Sequence, residues 1–258
     1  MAFVQGQGDP VIFVHGNGST HETWAGVIGH LGQDFRCVSY DLRGHGTAPG
    51  DAGRLDIEAF VEDLETLRRE LGFARAAFVG HSLGAVIAAA YALKHPDRVT
   101  ALGLLAAPAA RTAADRLAAD ALIHSLRTRG VKATMSTLVK SWYTDRFVAE
   151  HPEALRDRLS HFDTIDDDVF IRTYALYSRT DIDAWLARIG APTLVLTGEF
   201  ARGAGADVAG FIASRLADAR LVVIAGLKNG ILTEVPAQVA GEIRAFLRPR
   251  QAAPAMPA

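Results

Sequence analysis

The sequence predicts an α/β fold: a doubly wound, mostly parallel sheet flanked by helices, with one helical cap inserted into it. Three observations lead there. Short apolar or β-branched runs alternate with helical patterns, the arrangement expected when each parallel strand reaches the next through a helix. Six such runs, at 11–14, 35–40, 76–80, 99–105, 192–198 and 219–226, suit an open sheet rather than a barrel. The alternation stops after Pro108 and resumes at Pro192, and the stretch between is helical in composition. With 49% hydrophobic residues over 258 positions, the chain can bury one sizeable core, so a single domain with an insertion is the simplest organisation.

The first run, Val11-Ile12-Phe13-Val14, ends in His15-Gly16-Asn17-Gly18, whose glycines mark a tight turn. The second, FRCVSY, carries Cys37, the single cysteine: no internal disulfide can form, and its apolar setting predicts a core thiol. It runs into Asp41-Leu42-Arg43-Gly44-His45-Gly46, a turn in which Asp41 and Arg43 are expected to hold loops in place. A helix follows, with Asp56 as N-cap, Ile57, Phe60, Val61, Leu64, Leu67 and Leu71 on one stripe, and Gly72 past its end. Glu58 and Glu62 fall early in it and Arg68 and Arg69 late, as the helix dipole favours.

The third run, AAFVG, leads through Ser82 into the apolar helix LGAVIAAAYAL, and the fourth is VTALGLL. Residues 109–187 are read as a helical cap over the carboxyl ends of the strands, where open α/β sheets bind ligands. Its aromatics, Trp142, Tyr143, Phe147, Phe162, Phe170, Tyr174, Tyr177 and Trp185, hold the cap together, and some, Trp142 among them, are expected to line a pocket. PTLVLTG and ARLVVIAG close the sheet. The division is thus 1–108 with 188–248 as core, 109–187 as cap, and 249–258 as a flexible tail with little to bury.

Composition narrows the function. A formal net charge of −2 with no run of Lys and Arg gives no reason to expect nucleic acid. The start MAFVQGQGDP lacks the charged and apolar regions of a leader, and the longest near-apolar stretch, at 83–93, is too short to span a bilayer. With one cysteine, this fits a cytoplasmic protein whose partner is a small molecule. Nothing calls for a metal or an organic cofactor, and no feature sets an oligomeric state.

The chemistry concentrates at Gly80-His81-Ser82-Leu83-Gly84. Strand, G-x-S-x-G and helix in succession form a nucleophile elbow, in which a side chain at either glycine would collide with the neighbouring strand or helix. Ser82 is the expected nucleophile, and the N–H of Leu83, at the helix start, one donor to an oxyanion. A second donor is expected from Asn17, where Gly16 and Gly18 let the backbone approach a substrate oxygen. His81, beside the serine, and Trp142 join them as substrate-facing residues, while His15 is expected to bond to backbone.

These motifs, HG at 15–16 with Trp24 following, DLRGHG at 41–46 and GHSLG at 80–84, resemble the α/β-hydrolase superfamily over nearly the whole chain. The piece SWYTDRFVAEHPE, at 141–153, is similar to that of 3-oxoadipate enol-lactonases and related small esterases. The resemblance implies the α/β-hydrolase fold, with its leading hairpin shortened here, and a triad in the order Ser, acid, His. It also puts the acid at Ala201 and the histidine at Asn229. Neither residue can serve. The nine histidines end at His161, so none follows the last strand. Glu199, His81 and Lys228 are the nearest substitutes, and each fails on placement or charge.

An amide cannot take up a proton at ordinary pH. The reading is therefore an ester or lactone hydrolase, acting on a small, largely apolar molecule, whose hydrolysis is weak or absent. Two alternatives stand beside it: a lyase, cyclase or isomerase that uses the same oxyanion donors, and a non-catalytic ligand-binding protein. Arg111, Arg116, Lys140 and Arg146 are the basic cap residues that a substrate carboxylate could meet, and equally the ones that solvent would cover.

Overall fold

The computed structural model describes residues 2–48 and 53–251. Seven strands form one sheet: β1 (Ala2–Gln5), β2 (Asp9–Val14), β3 (Phe35–Tyr40), β4 (Ala76–His81), β5 (Val99–Leu105), β6 (Thr193–Gly198) and β7 (Ala219–Ile224). Their order is β1-β3-β2-β4-β5-β6-β7, and every pair is parallel except β1 with β3. β1 is the strand that the six-run reading leaves out. Its four residues lie on the sheet edge with Phe3 and Val4 largely exposed, so no buried apolar run announces it.

Alternation along the central strands builds two cores, one on each face of the sheet. Ile12, Val14, Phe78, Leu102 and Leu104 pack with the helices Ile57–Glu70 and Leu83–Lys94. Val11, Phe13, Cys37, Val79, Leu105 and Leu196 face the other way, toward the helices Ala25–Leu31 and Pro236–Gln251. Cys37 is fully buried there, and desolvation pushes its thiol up to about 12. Asp56 caps the Ile57–Glu70 helix by accepting from the Ala59 N–H, and Gly72 takes positive φ just beyond its end.

The last helix runs to Gln251, three residues into the tail that composition leaves loose. Val239, Ala240, Ile243, Phe246 and Leu247 form a buried stripe at helical spacing that anchors it. The rest of that tail, 252–258, lies outside the described residues.

Between β5 and β6 the chain forms six α-helices, from Ala113–Arg129 to Asp183–Leu186. Local chemistry starts several of them. Thr112 and Asp115 make a reciprocal capping box, Thr144 caps through the Phe147 N–H, and Asp166 through that of Val169. This segment has its own core of Leu126, Val131, Met135, Val139, Tyr143, Phe162 and Phe170. Ile182, Leu186 and Ile189 already pack in the core of the sheet. No helix among the described residues is long and apolar enough to cross a membrane.

Candidate active site

Ser82 stands between β4 and its helix with φ 55° and ψ −116°, a conformation that non-glycine residues rarely hold and that here is fixed from all sides. Its N–H is tied to the Leu105 carbonyl at 2.9 Å. A Cβ on Gly80 would run into the Gly84 carbonyl, and one on Gly84 into the Val14 carbonyl. The strand, the turn and the following helix are therefore packed backbone to backbone, and the serine has nowhere to relax.

Gly16, Asn17, His81, Ser82, Trp142 and Asn229 line one partly open cavity of about 590 Å³ between the strand ends and the inserted helices. Leu83 and Ala201 do not line it. The Leu83 side chain is fully buried in the core, and Ala201 is packed with Ala106 and Ala204 behind the cavity wall. Among the described residues no acceptor takes the N–H of Asn17 or of Leu83. The latter is unpaired because it opens a helix.

The Asn17 side chain fixes its loop to the inserted segment: its Nδ2 donates to the Phe170 carbonyl at 3.3 Å, and the buried Thr173 hydroxyl donates to its Oδ1 at 2.5 Å. His15, buried, accepts at Nε2 from the Leu42 N–H, and burial with His45 nearby lowers it to about 3. Asp41 takes the N–H groups of His21 and Thr47 and Arg43 grips Asp63 through two contacts, so this turn is braced as its sequence implies. His81 is half-buried, and desolvation pushes it down to about 4, with the Asn229 backbone drawing it partly back. Its Nε2 has no partner among the described residues.

The loops after β6 and β7 are zipped together. Glu199 N–H donates to Ile224 O at 3.0 Å, Phe200 N–H to Leu227 O at 2.8 Å, and the Glu199 carboxylate accepts from the Gly226 N–H at 2.8 Å. Within this pair of loops, Asn229 Oδ1 accepts from the Arg202 N–H at 3.0 Å and its Nδ2 donates to the Arg202 carbonyl at 3.4 Å. The amide is occupied at both ends by backbone, and it sits next to Gly230, whose N–H donates to the Trp142 carbonyl at 2.8 Å. Lys228 pairs with Asp145 at 3.3 Å. The loop after β5, the other strand end facing the cavity, reads Ala106-Ala107-Pro108-Ala109 and offers no carboxylate. No group of three or more His, Cys, Asp or Glu among the described residues is arranged to hold a metal.

Residues 9–228 match the family model described as alpha/beta hydrolase fold. The chain belongs to the α/β-hydrolase fold family. Its relatives within that family include an (E)-2-((N-methylformamido)methylene)succinate hydrolase of Acinetobacter baylyi, 23% identical over 95% of this chain and 92% of the relative. A 3-oxoadipate enol-lactonase of the same species is 25% identical over 76% of this chain and 73% of its own length. Among solved structures, the enol-lactonase of Burkholderia xenovorans superposes with a TM-score of 0.88 at 23% identity, covering 96% of both chains. At that identity the superposition speaks for the fold.

One cavity residue has no forewarning in the sequence. Arg158, on the helix Pro152–Ser160, reaches the Gly18 carbonyl at 2.6 Å and lies over the rings of Phe162 and Trp142. Of the basic residues singled out from sequence, Arg111 lines the cavity while donating to the Tyr177 and Thr180 carbonyls, whereas Arg116 pairs with Asp181, Arg146 with Glu150, and Lys140 is exposed.

Proposed function

We propose that this α/β-hydrolase-fold chain is an ester- or lactone-hydrolase relative that holds a small molecule against Ser82, and that ordinary hydrolysis by it is weak or absent. Ser82 is the nucleophile position, and the free N–H groups of Asn17 and Leu83 are the oxyanion donors. Ala201 and Asn229 stand where the acid and the base of the relay belong. Acyl transfer then lacks the step in which an imidazole takes the serine proton and returns it to the leaving group.

The observation that carries this reading is the double attachment of the Asn229 amide to the Arg202 backbone. An amide so engaged neither accepts a proton nor turns toward the serine. In a well-studied serine protease relay, loss of one member costs roughly 10⁶-fold in rate and leaves about 10³ to 10⁴ over water from binding and the oxyanion hole. That remainder is what this site retains.

The test is repair. Ala201→Asp combined with Asn229→His should raise hydrolysis of 4-nitrophenyl butyrate by about 10³-fold or more. An unchanged rate in a folded double variant would overturn the reading. The same free donors would also suit an enolate in a non-hydrolytic reaction. Product formation that survives Ser82→Ala would identify that chemistry, since no acyl-serine can form.

A further inference from the structure

We propose that the cavity is built to receive a carboxylate group, and that Arg158 is the residue that binds it. Arg158 lines the same cavity as Ser82, and its guanidinium carbon lies over two aromatic rings, 4.5 Å from the Phe162 centroid and 5.3 Å from that of Trp142. Among the described residues no carboxylate lies within ion-pair distance of it, whereas Arg43, Arg54, Arg68, Arg116 and Arg244 each have one. Its one hydrogen-bond acceptor among the described residues is the Gly18 carbonyl. A guanidinium carries five N–H donors, and contact with aromatic rings satisfies none of them.

Withdrawing a cation even partly from water without a counter-ion is costly, and Arg158 is half-buried; desolvation accordingly pulls it down to about 10, still charged at neutral pH. Pinning the inserted helices to the loop at Gly18 requires only a neutral donor. What needs a cause is the charge. Its field adds to the lowering of His81, which lines the cavity, and of His45 and His161 outside the lining. The other charged lining residues do not neutralise it. Arg111 and Arg202 add to the positive side, and Asp115, the one acid of the lining, is taken up by Thr112 at the start of its own helix.

An incoming carboxylate would supply the missing counter-ion through charge-assisted, two-pronged contacts, with the aromatic walls covering the rest of the molecule. The ligand class is thus a small organic acid. That its ester or lactone carbon meets Ser82 rests on the reading above; that the cavity takes its carboxylate does not.

The test measures binding to the unaltered protein, with no turnover required. 3-Phenylpropanoate and hexanoate are compared by calorimetry with their primary amides. The acids should bind about tenfold or more tightly than the amides. Arg158→Gln should abolish that preference and Arg158→Lys keep part of it. Equal affinity for acid and amide, a preference that persists in Arg158→Gln, or no acid binding below about 10 mM would overturn the proposal. Should the Gln variant not fold, a crystal structure of the unaltered protein with 3-phenylpropanoate decides. The carboxylate lies against the Arg158 guanidinium, or the proposal is wrong. Carboxylate binding without rate repair in the Ala201→Asp, Asn229→His variant sinks only the hydrolase reading, and repair without acid preference sinks only this one.

Discussion

Asn229 grips the backbone of Arg202 with both ends of its side-chain amide, accepting from the N–H at 3.0 Å and donating toward the carbonyl at 3.4 Å. On the proposed function, the two loops that would carry the acid and the base are thus held together by a structural contact in place of a catalytic one. Repair at one position should accordingly do far less than repair at both. Asn229→His alone adds an imidazole with no carboxylate to orient it, and Ala201→Asp alone adds a carboxylate with nothing to orient. Asn229→His alone should gain no more than about 10²-fold and Ala201→Asp alone almost nothing, while the pair gains about 10³-fold or more, a strong departure from additivity. Initial rates on 4-nitrophenyl butyrate for the four proteins measure it.

The elbow should tolerate no side chain at its glycines. A Cβ at Gly84 would meet the Val14 carbonyl, and one at Gly80 the Gly84 carbonyl, both backbone groups that cannot swing aside. Gly84→Ala should therefore cost about 3 kcal/mol or more, at the upper end for overpacking, or prevent folding. Gly72→Ala, where a Cβ would meet open space, should cost less, its penalty coming from the positive φ alone. Urea midpoints compare the two.

Thr173 holds the loop that carries the Asn17 N–H. Its hydroxyl is fully buried and donates to Asn17 Oδ1, which otherwise has only the His45 ring at 3.3 Å. Thr173→Val should cost about 1 to 2 kcal/mol by leaving that oxygen short of a donor. In the repaired background it should lower kcat more than it raises KM, since a displaced oxyanion donor acts on the transition state. A KM effect with kcat unchanged would assign Asn17 to substrate binding alone.

Stability should fall on mild acidification. Burial lowers His15 to about 3 and His45 and His81 to about 4 in the folded chain, whereas the unfolded chain titrates near 6.5. Between those values the unfolded state binds protons that the folded state refuses. Stability is therefore complete above about pH 6.5 and is lost as pH drops toward 4, by up to about 1.4 kcal/mol per pH unit for each histidine. Asp41 adds a later loss. Burial opposes its charge, but the N–H groups of His21 and Thr47 hold it at about 2, so its contribution goes only below 3.8. Thermal midpoints from pH 8 to pH 4 test this, and a flat profile would contradict it.

Much of the frame is legible in the chain because its signals are local. Apolar runs on both sheet faces, the Asp56 cap and the glycines around Ser82 each read correctly from a few neighbouring residues. β1 escapes because an edge strand of four residues buries too little to leave a pattern. Arg158 escapes for a different reason. In PEALRDRLS it looks like any solvated helical arginine, and only the arrival of Gly18, Trp142 and Phe162 from distant parts of the chain encloses it. The grip of Asn229 on Arg202 is likewise tertiary: sequence puts an amide at 229 but does not show what it holds.

The central claim is that the Ser82 hydroxyl is presented beside free oxyanion donors with no group to accept its proton. Labelling by a fluorophosphonate probe tests it most directly, read by mass spectrometry at Ser82 in the unaltered protein and in the Ala201→Asp, Asn229→His variant. The unaltered serine should label about 10³-fold more slowly than the repaired one. Equally rapid labelling of both would reveal a working base already in place and contradict it.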